Sequence, residues 1–272
     1  MKRFFLILIL VISLSMFSCG KKEIYPDFTV DFLDVGKADC MVLRTENSTV
    51  VIDCGEKGDG KKILELLAEN EIESVDYLII THYDKDHVGG SAKLINNIEV
   101  KNVLAPDYPE ESSEMEKYNK ALTGKNITPV LMHDDISFNL DGVEYTVYAP
   151  KKDFYGDDDD NDFSLVTKAV YHDTTFLFTG DAMEQRLEEI MDIGNCTLLK
   201  VPYHARKLDN LETFISRVRP EYAVSCTSES EFSSDTEKIL NKYRIKSYAT
   251  CYNGNITAVS NGNEIKLTMN NS

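Results

Sequence analysis

From residue 28 to the end of the chain, apolar positions fall into short alternating runs separated by amphipathic stretches. Residues 28–34, 40–45 and 49–53 are rich in Val, Ile and Phe and are divided by Gly36 and by Glu46-Asn47-Ser48, which predicts three antiparallel strands joined by turns. Ile63, Leu64, Leu66 and Leu67 recur at helical spacing within residues 61–70, with Asp59 placed as an N-cap. Residues 77–81 are almost wholly apolar, as in a strand covered on both faces. That strand runs directly into a polar cluster at 82–87, followed by a helix over 88–96. A strand ending in a charged loop before a helix is where open α/β sheets place their chemistry.

The middle of the chain predicts a strand at 99–104, a polar helix at 112–122 and strands at 126–132, 136–140 and 143–149, the last two joined by the turn signal Asp141-Gly142. An acidic stretch without regular structure covers 151–162. Strands follow at 164–171, 175–179, 197–201 and 221–225, with helices at 183–193, 210–218 and 235–243, and closing strands near 247–251, 255–259 and 264–269. Two sets of strands, each flanked by helices and with no internal repeat, predict an α/β protein of four layers, an αββα sandwich.

The N-terminus has a different character. Lys2 and Arg3 precede an apolar stretch from Phe4 to Phe17, too short to span a bilayer comfortably, and Ser18-Cys19-Gly20 supplies small residues for cleavage. Met16-Phe17-Ser18-Cys19 resembles a bacterial lipobox, with Phe17 bulkier than usual; an ordinary signal peptide with an incidental cysteine is the competing reading. The expected division is a lipoprotein signal peptide over 1–19, a short tether over 20–27 and one domain over 28–272. Cys19 would carry the acyl chains that anchor the mature chain to the membrane lipid, outside the cytoplasm.

Of the remaining cysteines, Cys40, Cys54, Cys196, Cys226 and Cys251, an odd number cannot all pair. Buried free thiols are the favoured reading, with a Cys40–Cys54 pair left open. The chain carries 29 Lys and Arg against 46 Asp and Glu, a net charge of −17; cleavage before Cys19 leaves 27 against 46, or −19. Such a field repels nucleic acid at long range, so overall charge does not gather a polyanionic substrate.

The densest chemistry is Thr81-His82-Tyr83-Asp84-Lys85-Asp86-His87-Val88-Gly89-Gly90. His82, Asp84, Asp86 and His87 offer imidazole nitrogens and carboxylate oxygens at a strand end, which points to more than one cation. His133 and His172 sit beside aspartates at strand ends and read as turn residues, and the acidic run 157–160 lacks the spacing of a calcium loop. No phosphate-cradling glycine loop, serine elbow or dinucleotide fingerprint occurs.

Here the chain resembles the metallo-β-lactamase superfamily, with Asp84 where most members carry a second histidine. That variant is similar to the nuclease-like domain of ComEC-type DNA-uptake proteins. The resemblance extends, in order, through 32–39, 52–55, 161–166, 176–182 and 199–204. It implies a pair of divalent ions, Zn2+ or Mn2+, with His82 and Asp84 on one, Asp86, His87 and His204 on the other, and Asp181 bridging both. Asp86 and Asp181 would be the catalytic carboxylates around a shared, deprotonated water. Asp53 would support the histidine loop from behind, with turn-capping as its equal rival. Asn161 and Ser164 align with a segment of the branch that would face substrate or, for Asn161, metal; Tyr203 or Arg206, where the chain departs from the branch, would contact substrate instead.

The resemblance therefore implies a hydrolase, a phosphodiesterase or nuclease-like enzyme acting on a phosphoester, and the expected anchor at Cys19 would place it at the cell surface. The chain departs from that branch at Pro202-Tyr203-His204-Ala205-Arg206, where a second histidine and a Gly-Ser pair are usual, and residues 227–234 lack the later histidines. These losses put DNA cleavage in doubt and support an alternative, a surface binding protein that keeps the fold without catalysis.

Overall fold

The structure, a computed structural model, describes residues 25–156 and 160–270. The lipobox with Cys19, the signal peptide and most of the acidic run therefore lie outside the described residues.

The chain opens with β1 (Phe28–Phe32), β2 (Met41–Arg44) and β3 (Thr49–Ile52), then α1 (Gly60–Glu69), β4 (Ser74–Ile79), α2 (Lys85–Val88), α3 (Ser91–Asn97), β5 (Glu99–Pro106), α4 (Ser113–Lys125) and β6 (Val130–Met132). The second half holds β7 (Ile136–Leu140), β8 (Val143–Tyr148), β9 (Val166–Tyr171), β10 (Thr174–Phe178), α5 (Glu184–Glu189), β11 (Leu198–Lys200), α6 (Leu211–Val218), β12 (Tyr222–Ser225), α7 (Ser234–Lys242) and β13 (Lys246–Ala249). It closes with α8 (Thr250–Asn253), β14 (Asn255–Ser260) and β15 (Ile265–Asn270).

One sheet has eight strands in the order β15-β14-β1-β2-β3-β4-β5-β6, and the other seven in the order β13-β12-β11-β10-β9-β8-β7. Strand alternation sorts side chains into layers. Met41, Leu43, Val50 and Ile52 point inward to a core shared with Val147, Phe176, Phe178 and Leu198 of the facing sheet. Their neighbours Val42 and Val51 point outward and pack with Ile63, Leu67, Leu94 and Leu122 of the covering helices. A third core, with Leu187, Phe214, Ile215 and Leu240, covers the outer face of the second sheet. The sandwich is thus αββα, as the pattern predicts.

The β1–β3 meander and the Asp141-Gly142 turn form as expected, with both turn residues at positive φ, 48° and 85°. Elsewhere the boundaries shift. The helix expected over 88–96 is two pieces, α2 and α3, broken at Gly89-Gly90. The strand expected from 126 begins only at Val130, because α4 runs on to a left-handed cap at Asn126. Residues 250 and 251, read as strand, belong to α8, and the helix read over 183–193 contracts to α5. Asp59 precedes α1 but caps nothing in it; its carboxylate accepts the Glu56 amide at 2.9 Å. The described cysteines are free thiols, so Cys40 and Cys54 do not pair.

β3 runs parallel to β4, and β10 parallel to β11, with all four ending on the same side. Asp53 follows β3, His82 follows β4, Asp181 follows β10 and His204 follows β11. Topology alone therefore gathers residues from distant sequence positions at one edge.

Candidate metal centre

His82, His87 and Asp181 each offer a ligand atom within 4.8 Å of the others, and so do Asp86, His87 and His204. All are buried. His87 Nε2 lies 3.4 Å from His204 Nε2 and 3.5 Å from Asp181 Oδ2, and His204 Nε2 lies 2.9 Å from that oxygen and 3.4 Å from Asp86 Oδ2. Asp84, half exposed, places Oδ2 3.7 Å from His82 Nε2 at the rim.

The hydrogen bonds fix how each imidazole faces the cluster. Thr81 Oγ1 donates to Asp53 Oδ2 at 2.6 Å, which leaves it to accept from His82 Nδ1 at 3.1 Å. His87 Nδ1 donates to Asp53 Oδ2 at 2.8 Å, and His204 Nδ1 donates to the Cys226 carbonyl at 3.0 Å. With Nδ1 carrying the proton in all three rings, each turns an Nε2 lone pair inward. His82 Nε2 and Asp181 Oδ1 are buried without a hydrogen-bond partner among the described residues. Inward lone pairs, clustered carboxylates and orphaned polar atoms fit divalent metal ions.

Without metal, the same carboxylates favour a proton on the inward Nε2, which a divalent ion would displace. Burial alone would lower the His87 imidazole, but Asp181 and Asp53 outweigh it and push it up to about 10. His204 is raised well above its usual range in the same way, burial opposing and Asp181 prevailing. Against burial, His204, His87 and Lys200 hold Asp181 well below the usual carboxylate range.

Local backbone makes the convergence feasible. Asp53 sits at φ 57°, and its N–H reaches the Ile79 carbonyl at 2.9 Å. Cys54 N–H bonds the His87 carbonyl at 2.8 Å, drawing the two loops together. A Cβ at Gly90 would stand 2.2 Å from the Cys54 carbonyl oxygen, and one at Gly89 2.3 Å from that of Lys85, so this pair must be glycine. Tyr203, His204 and Ala205 form a left-handed turn with φ of 50°, 48° and 60°, strain of a kind that concentrates at functional sites.

The other expected residues fall as follows. Asp53 is fully buried behind the histidine loop, as a support. Ser164 is fully buried and its Oγ accepts the Asp181 amide at 3.1 Å, so it holds the Asp181 turn and does not face substrate as expected. Asn161 lies half-buried in a 3₁₀ turn, Asp160–Phe163, with its side-chain amide free of hydrogen bonds among the described residues. Tyr203 lies half-buried, with Arg206 stacked 5.0 Å from its ring centre. His133 pairs with Asp107 at the surface, and His172, at φ 51°, stacks on Tyr25; both are turn residues.

Two groups at the centre escape a reading by motif. Lys200, fully buried on β11, forms an ion pair with fully buried Asp39, donates to the Gly180 carbonyl at 2.9 Å and stands 3.5 Å from Asp181 Oδ1. Asp39 Oδ1 lies 3.5 Å from His204 Nδ1, and the Asp39 amide reaches the Asp86 carbonyl at 3.2 Å. A charged residue within the apolar run Leu198-Leu199-Lys200-Val201 was the available signal.

Fold and centre together define a metallo-hydrolase-like αββα protein. The chain belongs to the metallo-beta-lactamase superfamily, whose sequence profile matches residues 33–228. It is 26% identical over 259 residues to ComE operon protein 3 of Bacillus subtilis, covering 84% of this chain and 32% of that protein. It is 25% identical over 205 residues to Recombination protein 2 of Haemophilus influenzae, covering 73% and 24%. The Neisseria gonorrhoeae competence protein ComA matches at 23% over 244 residues, covering 86% and 32%. The ComEC-like resemblance therefore holds, and the chain spans about a third or less of the length of these relatives.

Among solved structures, the metallo-beta-lactamase fold protein YhfI of Bacillus subtilis superposes with a TM-score of 0.61 at 11% identity, covering 86% of this chain and 100% of that one. CmlA, a diiron beta-hydroxylase from Streptomyces venezuelae, gives 0.54 at 13% identity, covering 84% and 53%. These likenesses concern the fold.

Proposed function

We propose that this protein is a binuclear metal-dependent phosphodiesterase anchored outside the cytoplasm. The observation that carries this reading is the inward presentation of three Nε2 lone pairs onto Asp86 and Asp181. Asp39, Asp53, Asp84, Asp86 and Asp181 bring five negative charges to the centre, and Lys37 and Lys200 bring two positive ones. The three charges left over exceed what one divalent ion neutralises, which supports two. His82 and Asp84 would hold one ion, Asp86, His87 and His204 the other, and Asp181 both. When bound, Zn2+ or Mn2+ supplies Lewis acidity and a water acidic enough to ionise near neutral pH.

The chain's own residues then divide the work. Asp53 and Thr81 hold the imidazoles in register, Asp86 and Asp181 would orient the attacking water, and half-buried Tyr203, next to His204 in the chain, would contact substrate. A phosphoester is favoured over other substrates because the chain resembles the nuclease-like domain of ComEC-type DNA-uptake proteins, and two of its relatives are named a recombination protein and a competence protein. The test is turnover of bis-p-nitrophenyl phosphate with added Mn2+ or Zn2+, with two metal equivalents per chain. No turnover above that of a His82→Ala, Asp181→Ala double variant sinks the reading.

One observation favours the rival, a non-catalytic binding protein: Arg206 closes in an ion pair on Glu231, joining the two segments where the branch's histidines are missing. Less than one metal equivalent in the isolated protein would decide for it.

Anchoring through Cys19 is consistent with the strand directions. Phe28 of β1 pairs with Ser260 at one end of the sheet, whereas Phe32 pairs with Met41, which in turn pairs with Ile52, at the end where Asp53 begins the site. The tether thus joins the pole opposite the metal centre, and a membrane-anchored chain would turn its site outward. Metabolic labelling with palmitate, lost in Cys19→Ala, tests the anchor.

A further inference from the structure

Lys37 lies in the turn between β1 and β2, at the rim of the metal centre. Its Nζ stands 2.9 Å from Asp86 Oδ2, with a third of the side chain exposed. An ammonium has three N–H donors, and Asp86 engages one; the described residues supply no other hydrogen-bond partner. Asp86 itself is nearly buried, and the same oxygen faces His204 Nε2 at 3.4 Å. The rim cation is thus tied directly to a residue of the centre.

A second cation stands near. Arg206 is held by Glu231, donates to the Tyr203 hydroxyl at 3.1 Å and stacks on that ring. Its positive charge acts on Lys37. Lys37 and Arg206 thus place two cations at the rim, each held by a carboxylate, Asp86 and Glu231, in an otherwise strongly acidic chain.

We propose that Lys37 is a substrate-recognition residue that binds a non-bridging phosphate oxygen of the phosphoester, with Asp86 holding its ammonium over the metal centre. This rests on the phosphodiesterase reading. A phosphodiester carries two non-bridging oxygens, and one turned to the centre leaves the other directed to the rim. A compact ammonium with free donors suits that contact as a point charge.

The test uses the full mature chain loaded with Mn2+, as wild type, Lys37→Met and Lys37→Arg. Three quantities are measured: metal content, steady-state hydrolysis of bis-p-nitrophenyl phosphate, and binding of inorganic phosphate by calorimetry. Lys37→Met should keep its metal, raise KM and weaken phosphate binding by about tenfold or more, and leave kcat within about threefold, while Lys37→Arg recovers most of the loss. KM and phosphate affinity within about twofold of wild type in Lys37→Met overturn the proposal, as does loss of metal, which would make Lys37 a support for Asp86. If wild type hydrolyses nothing, the phosphodiesterase reading fails on its own. The phosphate arm still decides Lys37: weaker binding in Lys37→Met supports it, and equal binding overturns it.

Discussion

Asp53 accepts the Nδ1 proton of His87 at 2.8 Å and, through its two oxygens, the amide of Thr81 at 2.8 Å and its hydroxyl at 2.6 Å. One buried carboxylate therefore sets both the ring orientation of His87 and, through Thr81, that of His82. Removing such a partner typically lowers metal affinity by about 10–100-fold. Asp53→Ala should show that loss in a chelator competition assay. Wild-type affinity in a folded Asp53→Ala protein would show that the ring orientations do not depend on it.

Gly90 makes a different kind of support. Its Cα packs so closely on the Cys54 carbonyl that a methyl group has nowhere to go. Gly90→Ala should separate the Asp53 loop from α2 and destabilise the protein by about 1–3 kcal/mol, as overpacking does elsewhere. Urea unfolding would read the change in midpoint, and weaker metal binding should accompany it. Gly58, around which a Cβ meets nothing within 4 Å, is the control, and Gly58→Ala should leave both properties unchanged.

The layered fold is legible in the sequence because alternation at Met41–Leu43 and Val50–Ile52 and the helical stripe of Ile63 and Leu67 report their own burial. The histidine loop is legible because its donors are adjacent in the chain. Lys200 and Asp39 are not, since each makes sense only beside the other, and 160 residues of chain separate them. Asp59 illustrates the opposite failure: its N-cap spacing is correct, but a turn with Glu56 claims its carboxylate. Ser164 lies in a motif expected to face substrate, yet the turn that precedes β9 places its hydroxyl under the Asp181 amide. Local spacing identifies residue types suited to a role, and packing decides which role they take.

His87 gives the pH dependence a definite sign. Its imidazole is held at about 10 against an ordinary 6.5, so in metal-free protein the folded state binds this proton more tightly than the unfolded chain. That stabilisation is complete below about pH 6.5 and is lost as pH rises through about 10. A metal ion at Nε2 displaces the proton, so the metal-loaded protein should respond in the opposite sense: apparent metal affinity rises from about pH 6.5 to 8.5. Calorimetry in buffers of different ionisation enthalpy would measure the protons released on metal binding. Affinity that is flat over this interval, with no proton release, would mean that His87 is not a ligand.

The Asp39–Lys200 pair yields the sharpest test of how the two halves of the sandwich are joined. Asp39 comes from the turn before β2 in one sheet and Lys200 from β11 in the other, and both side chains are fully buried. Breaking a buried ion pair by removing one partner costs about 3–5 kcal/mol, because the remaining charge is left in a poor solvent, whereas replacing both is often neutral. Lys200→Met should accordingly destabilise severely, and Asp39→Asn with Lys200→Met should recover most of the loss. The metal centre responds separately, because Lys200 also faces Asp181 Oδ1 at 3.5 Å. In the double variant Asp181 has lost that neighbouring ammonium, so its carboxylate should bind metal with altered affinity even though stability is restored. A double-mutant cycle on unfolding free energy, run with and without Mn2+, separates the two effects. Additive single-variant losses in the metal-free cycle would mean that Asp39 and Lys200 act independently.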